Sequence, residues 1–131
     1  MSDNCFFCDL KGDKYIFSND LTFVVEDGFP LSVGHCLIIP KRHFASLFES
    51  TAEERAALWE HLEQAKQYIL SKYQPDGFNI GVNDGQAAGQ TVKHLHIHLI
   101  PRYFGDTDDP RGGVRWIMPA KAPYWENNED A

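Results

Sequence analysis

The stretch HLHIHLIP, residues 94–101, places histidines at positions 94, 96 and 98 with single apolar residues between them. Successive side chains of a β-strand point to opposite faces, so the three histidines would share one face and the apolar residues the other. The alternation therefore predicts a strand that packs its apolar face on the core and presents three imidazoles together. Imidazole can act as nucleophile, acid, base or metal ligand. Two interpretations are open: a three-histidine metal centre, or a metal-independent site in which one imidazole attacks and its neighbours orient it.

The elements around this stretch predict an α+β fold with a largely antiparallel sheet and one long helix. Apolar residues recur at helical spacing from Ser50 to about Tyr73, and Ser50 with Glu53 forms a capping-box pattern. Strand-like runs are KYIFS, LTFVVED and HCLIIP before the helix and GFNIGVN after it. Several strands with a single helix between them are typical of α+β domains. The later segment VRWIM is expected to be a strand or a packed arm.

Composition predicts one domain spanning residues 1–131, in the cytoplasm. The chain is 43% hydrophobic and 24% charged, which is ordinary for a globular protein. Its apolar runs stay well short of the roughly 20 residues needed to span a bilayer, so we expect no membrane partner.

The net charge of −7 makes a nucleic acid polymer an unfavourable partner, because neutralisation of phosphates by Lys and Arg dominates that affinity. A small anionic ligand remains compatible, since it experiences one pocket rather than the whole surface. The basic residues that could make such a pocket locally positive are Lys41, Arg42, Arg102, Arg111 and Arg115.

A glycine-rich loop, NDGQAAGQTVK at residues 83–93, directly precedes the first histidine. Glycines permit backbone angles at which amide N–H groups converge on an anion, although the same composition also suits a plain turn. Its position beside three imidazoles favours anion binding. An anion held there would lie against the histidines.

The segment GQTVKHLHIHLIP resembles the signature of the histidine triad (HIT) family, His-x-His-x-His followed by two apolar residues. The resemblance extends to PLSVGHCLIIPKRHF and CFFC, so it covers most of residues 5–104, a core followed by an arm at 105–131. It implies a HIT-like α+β fold, usually a homodimer, that binds a nucleotide. The middle histidine, here His96, would attack the α-phosphate, giving a covalent nucleotidyl-histidine that water hydrolyses without a catalytic metal.

The same resemblance implies roles for other residues. His98 would donate a proton toward the leaving group or a phosphate oxygen, and His94 completes the triad. Asp27 would hold the ribose hydroxyls, or would simply be a turn residue before Gly28, and His35 would support the active-site strand. Contacts to phosphate are expected from Asn83, Gly89, Gln90, Thr91 and His98.

Cys5 and Cys8 form a CxxC motif, which by itself is compatible with a redox pair, half a metal site or coincidence. A closed zinc site needs two further ligands, and His43 and one triad histidine are candidates. Bacterial-type HIT proteins pair this CxxC with the PKxH histidine and the first triad histidine, which implies one structural zinc per chain on Cys5, Cys8, His43 and His94. His96 would then not be a metal ligand. Cys36 is expected to be a core residue.

Several functions are compatible with these features. AGQTVKH followed by HLIPR resembles the fragile-histidine-triad branch, which implies hydrolysis of dinucleoside polyphosphates. Alternatives are a nucleoside phosphoramidate hydrolase, a non-catalytic nucleotide-binding or signalling module, and a zinc-stabilised interaction domain. Arg111 or Arg115 could reach a distal phosphate, or could belong to a solvated arm.

Overall fold

The computed structural model is described for residues 5–126. Among these residues, five antiparallel strands form one sheet and there is a single long helix. The strands are β1 (Phe17–Ser18), β2 (Thr22–Glu26), β3 (Cys36–Pro40), β4 (Gly77–Gly81) and β5 (Ile97–Arg102), and the helix is α1 (Ala52–Lys72). The order across the sheet is β1-β2-β3-β5-β4. The predicted α+β fold with an antiparallel sheet is confirmed.

The predicted helix forms, but its cap lies one residue later than the sequence analysis placed it. The Thr51 hydroxyl accepts a bond from the Glu54 amide (3.1 Å), and the Glu54 carboxylate accepts one from the Thr51 amide (2.8 Å). The run STAEE contains two overlapping capping boxes, and Glu54 also bonds to Arg42 at 2.8 Å. The bond from Arg42 lowers the pKa of Glu54 to about 2. The Ser50–Glu53 prediction is therefore wrong, because this ion pair favours the Thr51–Glu54 register.

The two faces of the sheet carry separate apolar cores. One face packs against α1, and its core includes Leu58, Leu62, Leu95 and Leu99. The other face is covered by the N-terminal segment, where Phe7 belongs to a core with Cys5, Phe23, Val25, Leu37 and Ile39. The histidine stretch therefore belongs to a sheet with one face covered by the helix and the other covered, among the described residues, by residues 5–10 and neighbouring loops.

Sheet register brings separate parts of the chain to His98. Leu37 of β3 and Gly81 of β4 lie opposite His98 of β5. His35 immediately precedes β3 and follows Gly34, whose φ is +96°. A Cβ at Gly34 would lie 3.2 Å from the Tyr73 ring and 3.3 Å from the Pro101 ring, so this position requires glycine for both conformation and space.

The C-terminal arm lies beside β4 as turns rather than as a strand. The first four residues of VRWIM lie in a 3-10 helix, Gly113–Ile117, which follows Gly112, a residue in a left-handed conformation with φ of +88°. Of the two expectations for this segment, the strand is wrong, because the paired glycines turn the chain before it. The segment lies against β4, but its apolar side chains Val114, Ile117 and Met118 are exposed, so a packed arm is not established. Within residues 5–126, no helix has the length and hydropathy that a membrane crossing requires.

Candidate active site

The histidine stretch keeps its alternation although only its second half lies in a strand. His94 and His96 precede β5, which begins at Ile97. The intervening Leu95, Ile97 and Leu99 are buried in the core under α1, and the imidazoles face the other way. His94 and His96 are buried, whereas the His98 side chain is 22% exposed.

Hydrogen bonding fixes the protonation pattern of His96. Its Nδ1 lies 2.9 Å from the carbonyl oxygen of His94, so Nδ1–H donates to that oxygen. The proton of the neutral ring is therefore on Nδ1, and Nε2 carries the lone pair. None of the described residues hydrogen-bonds to this Nε2. The bond accordingly defines Nε2 as the nucleophilic atom that the site can offer.

A second set of bonds fixes His98 through His35. The Leu31 amide donates to His35 Nδ1 (3.1 Å), which places the His35 proton on Nε2. His35 Nε2 lies 3.0 Å from His98 Nδ1 and donates to it. The His98 proton is then on Nε2, as a hydrogen-bond donor. Burial lowers the pKa of both His35 and His98, so both rings are neutral at neutral pH.

Asp27 makes a turn contact and also lies at the cavity, so the turn role is seen and the ribose contact stays a prediction. Its Oδ1 accepts a bond from the Phe29 amide at 2.8 Å, which is a turn contact. Its Oδ2 lies 3.4 Å from His35 Nε2 and 4.0 Å from His98 Nδ1, and the side chain lines the cavity beside the histidines. The carboxylate is thus fixed at the cavity wall by the turn.

The cavity in front of His96 and His98 has a volume of about 840 Å³ and two unlike walls. Asn83, Thr91 and Asp27 supply polar groups near the histidines. The remaining wall is largely apolar. Its apolar side chains are those of Phe6, Phe7, Leu10, Ile16, Val25, Phe29, Leu31, Leu37 and Val92, and the charged residues Asp13, Lys14 and Glu26 also line it. A pocket of this size and mixed character suits a small molecule with one apolar part and one polar part.

Gly89 and Gln90, two of the residues predicted to contact phosphate, do not line this cavity. The Gly89 amide donates to the Gln86 carbonyl at 3.0 Å. The Gln90 side chain accepts a bond from the Gly85 amide (2.9 Å) and donates to the carbonyls of Ala45 (2.9 Å) and Val92 (3.1 Å). In this structure both residues shape the loop, and a phosphate contact by either stays a prediction.

The expected cluster of basic side chains at the pocket is not formed. Arg42 pairs with Glu54, Arg102 with Asp106, and Arg111 with Asp109. Arg115 donates to the carbonyls of Lys121 and Ala122 within the arm. None of these residues lines the cavity, nor does Lys41, and within residues 5–126 Lys14 is the one Lys or Arg in its wall. The expectation was wrong because each arginine is satisfied elsewhere; an anion here would meet mainly neutral donors.

The four residues implied for zinc converge beside the triad. His94 Nδ1 lies 3.3 Å from Cys5 Sγ, 3.4 Å from Cys8 Sγ and 3.1 Å from His43 Nδ1. All four candidate ligand atoms lie within 4.8 Å of one another. His94 Nε2–H donates to the Pro40 carbonyl at 2.7 Å, so the lone pair of the neutral ring is on Nδ1 and faces the cluster. Burial lowers the pKa of His94 and favours that neutral form.

This donor set fits a tetrahedral zinc ion. Bonds of about 2.3 Å to sulfur and 2.0 Å to nitrogen separate ligand atoms by about 3.3–3.8 Å, close to the distances in the cluster. The Cys8 amide also donates to Cys5 Sγ (3.3 Å), a bond that stabilises a thiolate ligand. The second bond of His94, to Pro40, is the kind of outer contact that orients a metal-ligating imidazole.

Two features of the site were missed by sequence reasoning. His35 was assigned no contact, yet it bonds directly to His98, and only the pairing of β3 with β5 could reveal this. Phe7 was not singled out, yet its ring centroid lies 4.9 Å from that of His96. The sequence did contain a signal for Phe7, because this residue stands between Cys5 and Cys8, two of the predicted metal ligands.

Comparison with known proteins agrees with this fold and site. The family model described as the HIT domain matches residues 11–105, and the chain belongs to the HIT family. Among curated relatives, adenylylsulfatase HINT3 of Arabidopsis thaliana is 37% identical over 106 residues, which are 78% of this chain and 54% of that protein. Bis(5'-adenosyl)-triphosphatase of Dictyostelium discoideum is 33% identical over 93 residues, 71% of this chain and 62% of that protein. The chain thus spans little more than half the length of these relatives.

Solved structures show the same fold. A HIT family protein from Bacillus subtilis superposes with a TM-score of 0.73 at 31% identity, covering 79% of this chain and 77% of that chain. A zinc-bound histidine triad family protein from Mycobacterium smegmatis gives a TM-score of 0.70 at 29% identity, covering 95% of this chain and 98% of that chain. The Cys5, Cys8, His43 and His94 cluster is compatible with zinc in this setting.

Proposed function

We propose that this HIT protein hydrolyses dinucleoside polyphosphates through a covalent nucleotidyl-histidine on His96. The observation that carries the proposal is the bond from His96 Nδ1–H to the His94 carbonyl, which leaves Nε2 as an unprotonated nucleophile in a nucleotide-sized cavity. The names of two relatives, bis(5'-adenosyl)-triphosphatase and AP-4-A phosphorylase, support the substrate class.

In the first step, His96 Nε2 attacks the α-phosphorus. A P–N bond forms while the P–O bond to the departing nucleotide breaks, and the leaving oxygen takes the electron pair. His98 Nε2–H donates a hydrogen bond to a phosphate oxygen, as do Asn83 and Thr91 from the cavity wall. Because His98 is neutral, it stabilises charge rather than transferring its proton, which suits a phosphate leaving group.

In the second step, water attacks the same phosphorus and the P–N bond breaks. The electron pair returns to His96 Nε2, the proton of the water is released to solvent, and a nucleoside monophosphate leaves. Asp27 would hold the ribose hydroxyls, and the apolar wall would cover the base. Gly89 and Gln90 would contribute to phosphate binding through the shape of the loop.

The proposal is tested by measuring turnover of diadenosine tri- and tetraphosphate without added metal, beside adenosine phosphoramidates. We expect hydrolysis of the dinucleotides with release of AMP, and a trapped protein–AMP adduct that is absent in His96→Asn. Binding of AMP without turnover of any substrate would instead establish a nucleotide-binding module. Absence of both binding and turnover would leave the zinc-stabilised interaction domain.

A second candidate is hydrolysis of adenylylated compounds with small leaving groups, such as phosphoramidates. The lining of the cavity favours it, since among the described lining residues Lys14 stands beside the carboxylates of Asp13, Glu26 and Asp27, and a polyphosphate would find little positive charge. Faster turnover of phosphoramidates than of dinucleotides in the same panel would select this candidate.

We also propose that Cys5, Cys8, His43 and His94 bind one structural zinc ion per chain. The support is the convergence of two thiols and two imidazole nitrogens at distances suited to tetrahedral coordination. Zinc would supply no step of the reaction. It would tie the N-terminal segment to the sheet and hold His94, whose carbonyl accepts the bond from His96.

We further propose a homodimer in which β4 of two chains meet. β4 is an edge strand, and the apolar side chains of Ile80, Val114 and Ile117 near it are exposed. Light scattering should give twice the chain mass, and Ile80→Lys should shift the protein toward monomer. A monomeric wild type would reject the proposal. The cytoplasmic location stays a prediction.

A further inference from the structure

Phe7 lies between the two cysteines of the metal cluster and against the proposed nucleophile. It is 5% exposed, whereas the adjacent Phe6 is 63% exposed. The Phe7 ring centroid lies 4.9 Å from that of His96, with planes inclined at 59°, and 5.9 Å from that of His94. One buried side chain therefore contacts both a metal-ligand candidate and the reacting imidazole.

The ring of His96 needs a packing partner to hold its direction. Its one described hydrogen bond, from Nδ1 to the His94 carbonyl, lets the imidazole pivot about that bond. An aromatic ring packed against it removes this freedom, and a nucleophile that is held in an attacking orientation reacts faster. Two rings pack against His96: the His98 ring, with its centroid 5.1 Å away, and the Phe7 ring at 4.9 Å. Phe7 is the one of the two that belongs to the segment bearing Cys5 and Cys8.

Phe7 in turn depends on what anchors residues 5–10. The described backbone hydrogen bonds of this segment are internal to it: Asp9 N–H to the Cys5 carbonyl at 3.1 Å and Leu10 N–H to the Phe7 carbonyl at 3.4 Å. The segment pairs with no strand of the sheet. Its attachment comes from buried side chains and from the contacts of Cys5 and Cys8 with His43 and His94.

We propose that Phe7 is a positioning residue for His96, and that a metal ion on Cys5, Cys8, His43 and His94 controls the nucleotide site by holding Phe7 in place. The metal then acts on the site through packing, from outside the reaction path. The catalytic part rests on the proposed function, whereas the effect on the His96 ring does not.

The test compares Phe7→Leu with Phe23→Leu in zinc-loaded protein. Phe23 belongs to the same core, is 2% exposed and does not line the nucleotide cavity, so it is matched for burial and chemistry. Phe7→Leu should lower kcat by about three- to tenfold, the range of a lost aromatic contact, while KM changes less than kcat. Phe23→Leu should lower thermal stability with kcat unchanged, and Phe7→Tyr should retain most of the wild-type kcat.

The direct readout is the NMR signal of the His96 ring carbons, identified by its loss in His96→Asn. Wild-type zinc protein should show one sharp set, whereas Phe7→Leu and chelator-treated wild type should both show broadened or multiple signals. Treatment of the Phe7→Leu variant with chelator should change the His96 signals little further, because the packing contact through which the metal would act on His96 is already lost. This readout is informative even if no substrate is turned over.

The proposal is overturned if Phe7→Leu leaves the His96 signals and kcat at wild-type values, or if Phe23→Leu lowers kcat equally. If chelation changes the His96 signals equally in wild type and in Phe7→Leu, the proposal is also overturned, because the metal then acts on His96 without Phe7. If chelation unfolds the chain, the comparison of Phe7→Leu with Phe23→Leu in zinc-loaded protein still decides the role of Phe7. Purified wild-type protein that contains no zinc would reject the role of the metal.

Discussion

His35 Nε2 lies 3.0 Å from His98 Nδ1, so the histidine that precedes β3 determines which nitrogen of the third triad histidine carries the proton. The Leu31 amide, bonded to the other nitrogen of His35, sets the direction of this chain of donors. His98 is thereby prepared to donate from Nε2 before any ligand arrives. The bonds cross from the β2–β3 loop to β5.

Replacing His35 should therefore impair catalysis through His98. His35→Leu removes the donor, and we expect kcat to fall by about tenfold, the effect of losing one buried hydrogen bond. His35→Gln keeps an N–H group that can reach His98 Nδ1 and should retain more activity. Steady-state kinetics of the two variants is the measurement, and equal kcat values for His35→Leu and wild type would exclude this role.

Removal of the nucleophile should separate chemistry from binding. His96→Asn should lower turnover by about 10³-fold or more, because no other described side chain in the cavity offers an equivalent attacking atom. AMP should still bind, which calorimetry can measure, since the polar and apolar walls are unchanged. Activity of this variant near the wild-type value would remove His96 as the nucleophile.

Metal content tests the cluster at the N-terminus. Purified protein should contain about one zinc per chain, as expected for a closed four-ligand structural site. Cys5→Ser combined with Cys8→Ser should lose the zinc and lower the melting temperature, while Cys36→Ser should keep it. Cys36 is the matched control because it is buried away from the cluster, where burial raises the pKa of its thiol to about 12. A metal-free, fully folded wild type would contradict the prediction.

Stability should fall as the pH is lowered through the range where histidines titrate. Burial lowers the pKa of His35, His61 and His98 in the folded chain. The unfolded chain, with histidine pKa values of about 6.5, therefore binds protons first, so the free energy of unfolding decreases below about pH 6.5. Urea unfolding at pH 7.5 and 5.5 measures this. His61→Gln should reduce the difference in the free energy of unfolding between the two pH values, because it removes one histidine whose pKa is lowered by burial. His61 is chosen because it lies away from the active site. An unchanged pH dependence would argue against a contribution from His61.

Gln90 should stabilise the loop even without a ligand. Gln90→Ala removes three hydrogen bonds to backbone groups and should lower the free energy of unfolding by about 1–3 kcal/mol in ligand-free protein. Gln86→Ala, in the same loop, provides a comparison. If Gln90→Ala lost only nucleotide affinity, with stability unchanged, the side chain would act on the ligand rather than on the loop.

Alternation and turn chemistry were enough to predict the sheet, the helix and the orientation of the three histidines. The exact cap was not predictable, because STAEE offers two registers and the choice depends on an ion pair with Arg42. The bond between His35 and His98 depends on how β3 aligns with β5, which local sequence does not specify. The basic residues were misplaced for a different reason: Arg42, Arg102 and Arg111 each pair with a carboxylate, and Arg115 donates to two carbonyls of the arm, so their side chains are directed away from the cavity.

The contact of Cys5 with His94 joins residues 89 positions apart in the chain. Contacts that close so long a loop are costly in chain entropy until the intervening structure has formed, so we expect this one to appear after the sheet has assembled. Interactions that form after the folding transition state mainly slow unfolding. The cysteine–histidine cluster should therefore extend the lifetime of the native state without making it fold faster.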